Sequence, residues 1–174
     1  MADMSHYDSP VGRIFLASRN DALIGLWLEG QKYFLGSLKE EMSQKDDSPI
    51  LLQTKDWLDR YFAGKKPEIS QLNMAPEGST FRQEVWKLLC QIPYGQVTTY
   101  KEIAAKAAEK MGRPHMSAQA VGGAVGHNPI SIIIPCHRVV GTDRSLTGYA
   151  GGIDKKIWLL THEGVNVEEE RVLL

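Results

Sequence analysis

Residues 132–141 read IIIPCHRVVG and set one cysteine between a proline and a histidine. A thiol is a nucleophile only as the thiolate, and an adjacent imidazole or guanidinium favours that form. Cys136 has His137 and Arg138 beside it, and its loop runs on into Gly141. Taken alone, these residues leave two readings open: a reactive thiol, or a small buried hydrophobe. The other cysteine, Cys90, ends an amphipathic helix with no polar neighbour of note and reads as core. In an extended chain adjacent side chains point to opposite faces. Cys136 and His137 can therefore cooperate only across a bend or through a water. Pro135 and the glycines that follow predict that the chain leaves the strand conformation at the cysteine.

Other segments must position this one. GRIFLASR and ALIGLWLEG read as a β-hairpin around Asn20-Asp21, with MSHYDSP as a third, edge strand. SPILLQTKDWLDRYFAGK reads as a helix capped by Ser48, with Pro49 in its first turn and Gly64 at its end. Its apolar stripe is Ile50, Leu51, Trp57, Leu58, Tyr61 and Phe62. Residues 65–79, polar and without periodicity, form a linker or an inter-domain strand. Thr80-x-x-Gln83 and Thr99-x-x-Glu102 are capping-box patterns that open two helices, and Ser117 can cap a third, AQAVGGAV. These three helices fit a helix-turn-helix and fit a compact helical bundle equally well. ISIIIP, the cysteine, a Gly-rich loop (141–152) and a last helix around DKKIWLLTHEG complete the chain. Two domains are expected, 1–76 and 77–174.

Bulk properties narrow the function classes. The chain has 174 residues, 43% of them hydrophobic, and a formal net charge of -1. That is an ordinary globular composition. No apolar run approaches the roughly 20 residues that span a bilayer, so no membrane partner is expected. The N-terminus lacks a secretory pattern. Two cysteines in a chain of this size point to reduced thiols in the cytoplasm, not to a disulfide scaffold. Residues 77–164 hold 10 Lys+Arg against 7 Asp+Glu, whereas residues 1–76 hold 9 against 11. The excess is too small to establish nucleic-acid binding, but it places any anionic partner on the second half.

NPISIIIPCHRVVG, then GYAGG, then WLLTHEG resembles the signature of the O6-alkylguanine–DNA alkyltransferases. The likeness covers roughly residues 80–164 closely and the N-terminal part more loosely. It implies an α+β fold: a ribonuclease-H-like α/β domain with a small antiparallel sheet, then a mostly helical, winged-helix-like DNA-binding domain. It implies a monomer that moves the alkyl group from O6 of guanine in double-stranded DNA to its own cysteine, once and irreversibly, without a cofactor. O4-alkylthymine is a further candidate lesion. By position, Cys136 would be the acceptor and His137 a base acting through water. Glu163 would orient His137, and Asn128 would organise the turn beside the cysteine. Tyr100 would donate to the guanine ring and offset charge on the leaving base. Val139, Tyr149 and Ala150 would line the base pocket. Lys101, Ser117, Ala118, Gln119 and Gly122 would meet DNA through the minor groove, with the base flipped out of the stack.

Two departures and three rivals accompany the resemblance. Many members carry an intercalating arginine where this chain has Gln119, which is shorter and neutral yet still able to bond an orphaned cytosine. Some relatives hold zinc in the N-terminal domain. With no cysteine before Cys90 and only His6 in the first 114 residues, a four-ligand Cys/His site is excluded there. His115, His127 and His162 read as surface or capping residues. Glycines 122 and 123 have a competing explanation, tight helix–helix packing. One rival function is a non-catalytic binder of alkylated DNA, which the presence of Cys136 opposes. A second is a cysteine hydrolase with Cys136 and His137 as nucleophile and base, although hydrolases usually bring the base from far away in sequence. A third is a methylation-sensing transcription regulator, which is expected to carry extra DNA-binding domains.

Overall fold

The structure is a computed structural model that describes residues 1–36 and 41–173. Two compact units make up the chain: Met1–Glu77 with Pro129–Ser131, and Gly78–Asn128 with Ile132–Leu174.

The first unit is a four-stranded sheet covered by one helix. β1 (Ala2–Ser9), β2 (Gly12–Arg19) and β3 (Ala22–Leu28) run antiparallel, and β4 (Met42–Gln44) pairs parallel with β1. The strand order is β3-β2-β1-β4, so β1 is internal and not the edge expected from its sequence. Asn20 and Asp21 turn the β2–β3 hairpin with φ of 52° and 60°. Both lie in the left-handed region that a two-residue hairpin demands and that Asn and Asp tolerate. Every residue of β3 is buried. Gly25 makes room for the Trp27 indole, which lies where a Cβ would sit. The helix α1 (Pro49–Phe62) lies against β1, β2 and β3, burying Ile50, Leu51, Thr54, Trp57, Leu58 and Tyr61. Ser48 precedes it but makes no side-chain cap bond; Pro49 occupies the first turn, and Gly64 follows with φ of 84°.

The free edge of β3 would expose unpaired backbone groups. Two passing segments satisfy it. Leu23 bonds Asn73 and Ala75, and Leu26 bonds Pro129 and Ser131, all through backbone at 2.8–3.0 Å. Residues 65–79 thus contain a short 3-10 turn (Ile69–Gln71) and a bridge to the sheet. ISIIIP forms no strand; it makes a single bridge at Ile130 and then turns, with Ile132 at φ of 71°.

The second unit is mainly helical: α2 (Thr80–Leu89), α3 (Tyr100–Lys110), α4 (Ala118–Gly126) and α5 (Ile153–His162). α2, α3 and α4 pack on one another. Ser79, not Thr80, caps α2 by accepting from the Arg82 amide; Thr99 caps α3 and Ser117 caps α4. The Trp86 indole donates to the Ala124 carbonyl at 2.8 Å, tying α2 to α4. Short strands β5 (Thr98–Thr99) and β6 (Val139–Val140) pair in parallel. β7 (Val167–Glu168) and β8 (Arg171–Val172) form a terminal hairpin. No helix of the described residues is long and apolar enough to cross a membrane.

Candidate active site

Every candidate residue lies in the second unit. The β5–β6 pair explains how distant segments meet: Thr98 opposes Val139 and Thr99 opposes Val140. Tyr100 opens α3 directly after β5, and the cysteine turn ends directly before β6. The chain does bend at the cysteine, since Cys136–Arg138 is one turn of 3-10 helix. Asn128, two residues past the end of α4, donates through Nδ2 to the Ile134 carbonyl at 2.8 Å. It thereby braces the backbone just before Cys136.

The thiol is enclosed, with Cys136 only 4% exposed. Burial pushes its pKa above the ordinary thiol value. Hydrogen bonding by Asn128, the charge of Lys156 and hydrogen bonding by Tyr149 pull the other way without reversing it. The resting group is therefore a protonated thiol at neutral pH and needs a base to become a nucleophile.

His137 supplies a candidate base. It is completely buried, and its Nε2 stands 2.7 Å from Glu163 Oε2. Burial pushes the imidazole pKa down more strongly than Glu163 pulls it up, so the ring is neutral. Burial alone would raise the Glu163 carboxyl, but His137 and Arg138 together hold it well below the usual carboxylate range. An ionised carboxylate can only accept, so Nε2 carries the ring proton and donates it. That leaves Nδ1 with an unshared lone pair, and Nδ1 has no hydrogen-bond partner among the described residues.

Two charged side chains escaped the sequence reading. Arg138 was noticed only as a neighbour of the thiol. Its guanidinium instead grips Glu163 through Nε and Nη2, and Nη1 donates to the Ile92 carbonyl at 2.7 Å. Lys156 is fully buried. Its Nζ donates to the carbonyls of Val139 at 2.6 Å, Gly148 at 3.2 Å and Thr147 at 3.5 Å. Burial lowers its pKa to about 8, and a thiolate at Cys136 would raise it again. A buried ammonium surrounded by carbonyls is invisible in sequence, because lysine is by type a surface residue.

Tyr100 donates from its hydroxyl to the Thr147 carbonyl at 3.2 Å. Burial and then the nearby Cys136 charge raise its pKa, so it stays a donor. Tyr149 and Ala150 are half-buried on the same loop, and Val139 offers its carbonyl to Lys156. Lys101, Ser117, Ala118 and Gln119 are exposed; Lys101 and Ala118 line one shallow groove along α3. They are not part of the buried cluster. A Cβ on Gly122 or Gly123 would meet nothing within 4 Å. Tight helix–helix packing therefore does not explain this glycine pair. His127 caps α4 through a 2.7 Å bond from its ring to the Gly123 carbonyl, and His162 stacks on Trp158.

Both parts of the chain have counterparts among known proteins. Residues 4–76 match the model for the 6-O-methylguanine DNA methyltransferase ribonuclease-like domain, and residues 80–165 match the DNA-binding domain of the same family. The Methylated-DNA--protein-cysteine methyltransferase of Haemophilus influenzae is 38% identical over 161 residues, covering 92% of this chain and 86% of that protein. The one from Methanosarcina barkeri is 43% identical, covering 92% and 96%. The crystal structure of Mycobacterium tuberculosis OGT in complex with DNA superposes with a TM-score of 0.80 at 38% identity, over 92% of each chain. With both domains matched in order and relatives aligned over nearly their whole length, the chain belongs to the 6-O-methylguanine DNA methyltransferase family.

Proposed function

We infer that this chain is a methylated-DNA–protein-cysteine methyltransferase that binds DNA and repairs O6-methylguanine, with Cys136 as the acceptor. The observation that carries the assignment is the buried row Arg138, Glu163, His137, in which the carboxylate holds the Nε2 proton and leaves Nδ1 able to take another. His137 removes the thiol proton through a bridging water. The sulfur then attacks the methyl carbon, a C–S bond forms, and the bond from that carbon to O6 breaks. The electron pair leaves on the guanine, where the Tyr100 hydroxyl exchanges Thr147 for the base and offsets the developing charge. The thioether has no route back to a thiol, so each molecule acts once.

The partner is double-stranded DNA carrying the lesion, entered from the minor groove by α4. Open space around Gly122 and Gly123 supports this reading, because two glycines inside a helix cost up to about 1 kcal/mol each relative to alanine. Lys101, Ser117, Ala118 and Gln119 flank that surface. Val139, Tyr149 and Ala150 line the base pocket, and O4-alkylthymine is a second candidate substrate. The protein acts as a monomer and without a cofactor, since the DNA is the alkyl donor. An acceptor that must remain a thiol suits the reducing cytoplasm.

The test is intact-protein mass after incubation with duplex DNA holding one O6-methylguanine, followed by peptide mapping. One added methyl on the Cys136 peptide, saturating at one per protein and absent in Cys136→Ser, is expected. Lesion binding without added mass would instead support the non-catalytic binder.

A further inference from the structure

The last described residues fold back on the pocket loop. β7 and β8 are joined by Glu169 and Glu170, with φ of 51° and 56°. Two consecutive left-handed residues form a tight hairpin turn, normally built with Asn-Gly. Glutamates adopt it only where the surroundings over-determine the conformation. Those surroundings are visible. The outer edge of β8 bridges Ser145 through Arg171. The Leu146 amide donates to the Glu170 carbonyl at 2.9 Å, and the Val172 amide donates to the Arg144 carbonyl at 3.0 Å. Leu146 and Val172 enter one apolar cluster with Val140, Leu160 and Val165.

The residue after Leu146 is Thr147. Its carbonyl accepts from Tyr100, and Lys156 reaches both it and the Gly148 carbonyl. We propose that the C-terminal hairpin is a positioning element for the transfer reaction: by pairing with residues 144–146 it sets the Thr147 carbonyl, and through it the Tyr100 hydroxyl, at the mouth of the base pocket. Glu170 and Val172 act through Leu146 and Thr147 and touch no substrate. The inference rests on Tyr100 being the group that meets the base.

The experiment compares full-length Glu170→Pro with wild type. Proline holds φ near -65°, which the turn at Glu170 does not allow. Four quantities are measured: melting temperature, affinity for undamaged duplex, Cys136 alkylation by iodoacetamide read by peptide mapping, and the single-turnover rate on O6-methylguanine duplex. A displaced pocket edge is expected to slow the last by about ten-fold or more while the other three barely move. Glu169→Asn with Glu170→Gly keeps the turn and should restore the rate. Val172→Ala loosens the contact with Leu146 without touching the backbone, and decides by the same criterion where the proline variant does not fold. Unchanged repair, or all four quantities falling together, overturns the proposal. Tyr100→Phe is run alongside. If it is silent, the base-contact reading fails; if it is slow while the hairpin variants are silent, the hairpin proposal alone fails.

Discussion

The guanidinium of Arg138 holds the carboxylate of Glu163 in a fork, Nε to Oε1 at 2.7 Å and Nη2 to Oε2 at 3.1 Å. Both side chains are almost completely removed from solvent. The pairing neutralises a buried carboxylate whose charge would otherwise favour a second proton on the neighbouring imidazole. His137 therefore keeps a single proton, on the side facing Glu163, and remains a base.

Breaking this fork should cost stability. Arg138→Met leaves a buried carboxylate without its cation, a change worth about 3–5 kcal/mol. The folded pKa values of both Glu163 and His137 lie below their ordinary values. Groups depressed on folding contribute stability that is complete above their unfolded pKa and is lost as pH falls through the folded one. The wild type should hence be most stable above about pH 6.5 and weaken on acidification. Without Arg138 the Glu163 pKa rises, so the gap between variant and wild type should be widest at the alkaline end and narrow as pH falls through the raised Glu163 pKa of the variant. Urea unfolding across pH 3–8 checks both statements.

Removing the base should separate chemistry from binding. His137→Ala is expected to slow methyl transfer by roughly 10²–10⁴ while the affinity for lesion-bearing duplex changes little. Rapid-quench single-turnover kinetics and a gel-shift titration measure the two. Loss of binding in parallel with loss of transfer would argue that His137 only supports the fold.

The glycines of α4 should respond with opposite signs in stability and in binding. Gly122→Ala with Gly123→Ala faces no steric obstacle within the protein. The double variant should be more stable by about 1–2 kcal/mol, the propensity gain of two unobstructed helix positions. Its affinity for duplex DNA should fall if α4 enters the minor groove as proposed, because the added methyls would stand in the way of the DNA backbone. Thermal melting and fluorescence anisotropy give the two numbers; undiminished DNA affinity would move the interface off this face.

Gln119, exposed in the first turn of α4, is the residue expected to occupy the gap left by a flipped base. Gln119→Ala should slow repair of duplex substrate and leave repair of single-stranded substrate nearly unchanged. Gln119→Arg should tighten duplex binding and steepen its salt dependence, because a cation adds counterion release. Wild-type repair by Gln119→Ala on duplex would remove Gln119 from this role.

Asn128 offers a check on the cysteine turn. Asn128→Ala takes away the donor to the buried Ile134 carbonyl and should cost about 1–3 kcal/mol. It also removes a hydrogen bond that lowers the Cys136 pKa. The pH profile of Cys136 alkylation by iodoacetamide should therefore shift to higher pH.

The local parts of this protein were readable from its residues. Helix caps at Thr99 and Ser117, the Asn-Asp hairpin and the bend at Pro135 depend on a few neighbouring atoms, so their chemistry is written in short words of sequence. The roles of Cys136, His137 and Glu163 come only from the resemblance, and that His137 meets Glu163, 26 residues on, is a matter of the fold. Other features depended on what arrives from far along the chain. β4 pairs beside β1, which a strand's own pattern does not announce. ISIIIP looks like a buried strand because apolar runs do not distinguish strand from turn when every side chain is enclosed. The cap of α2 slipped by one residue because Ser79 and Thr80 are chemically equivalent candidates. Arg138 turned away from the thiol toward Glu163, 25 residues on, and Lys156 found carbonyls inside the fold. Burial of a charge is decided by the partners that tertiary structure assembles around it, and residue type alone predicts the opposite. Sequence thus determined which groups could react. Only the folded chain decided which of them is protonated, and which face of α4 is left open to a partner.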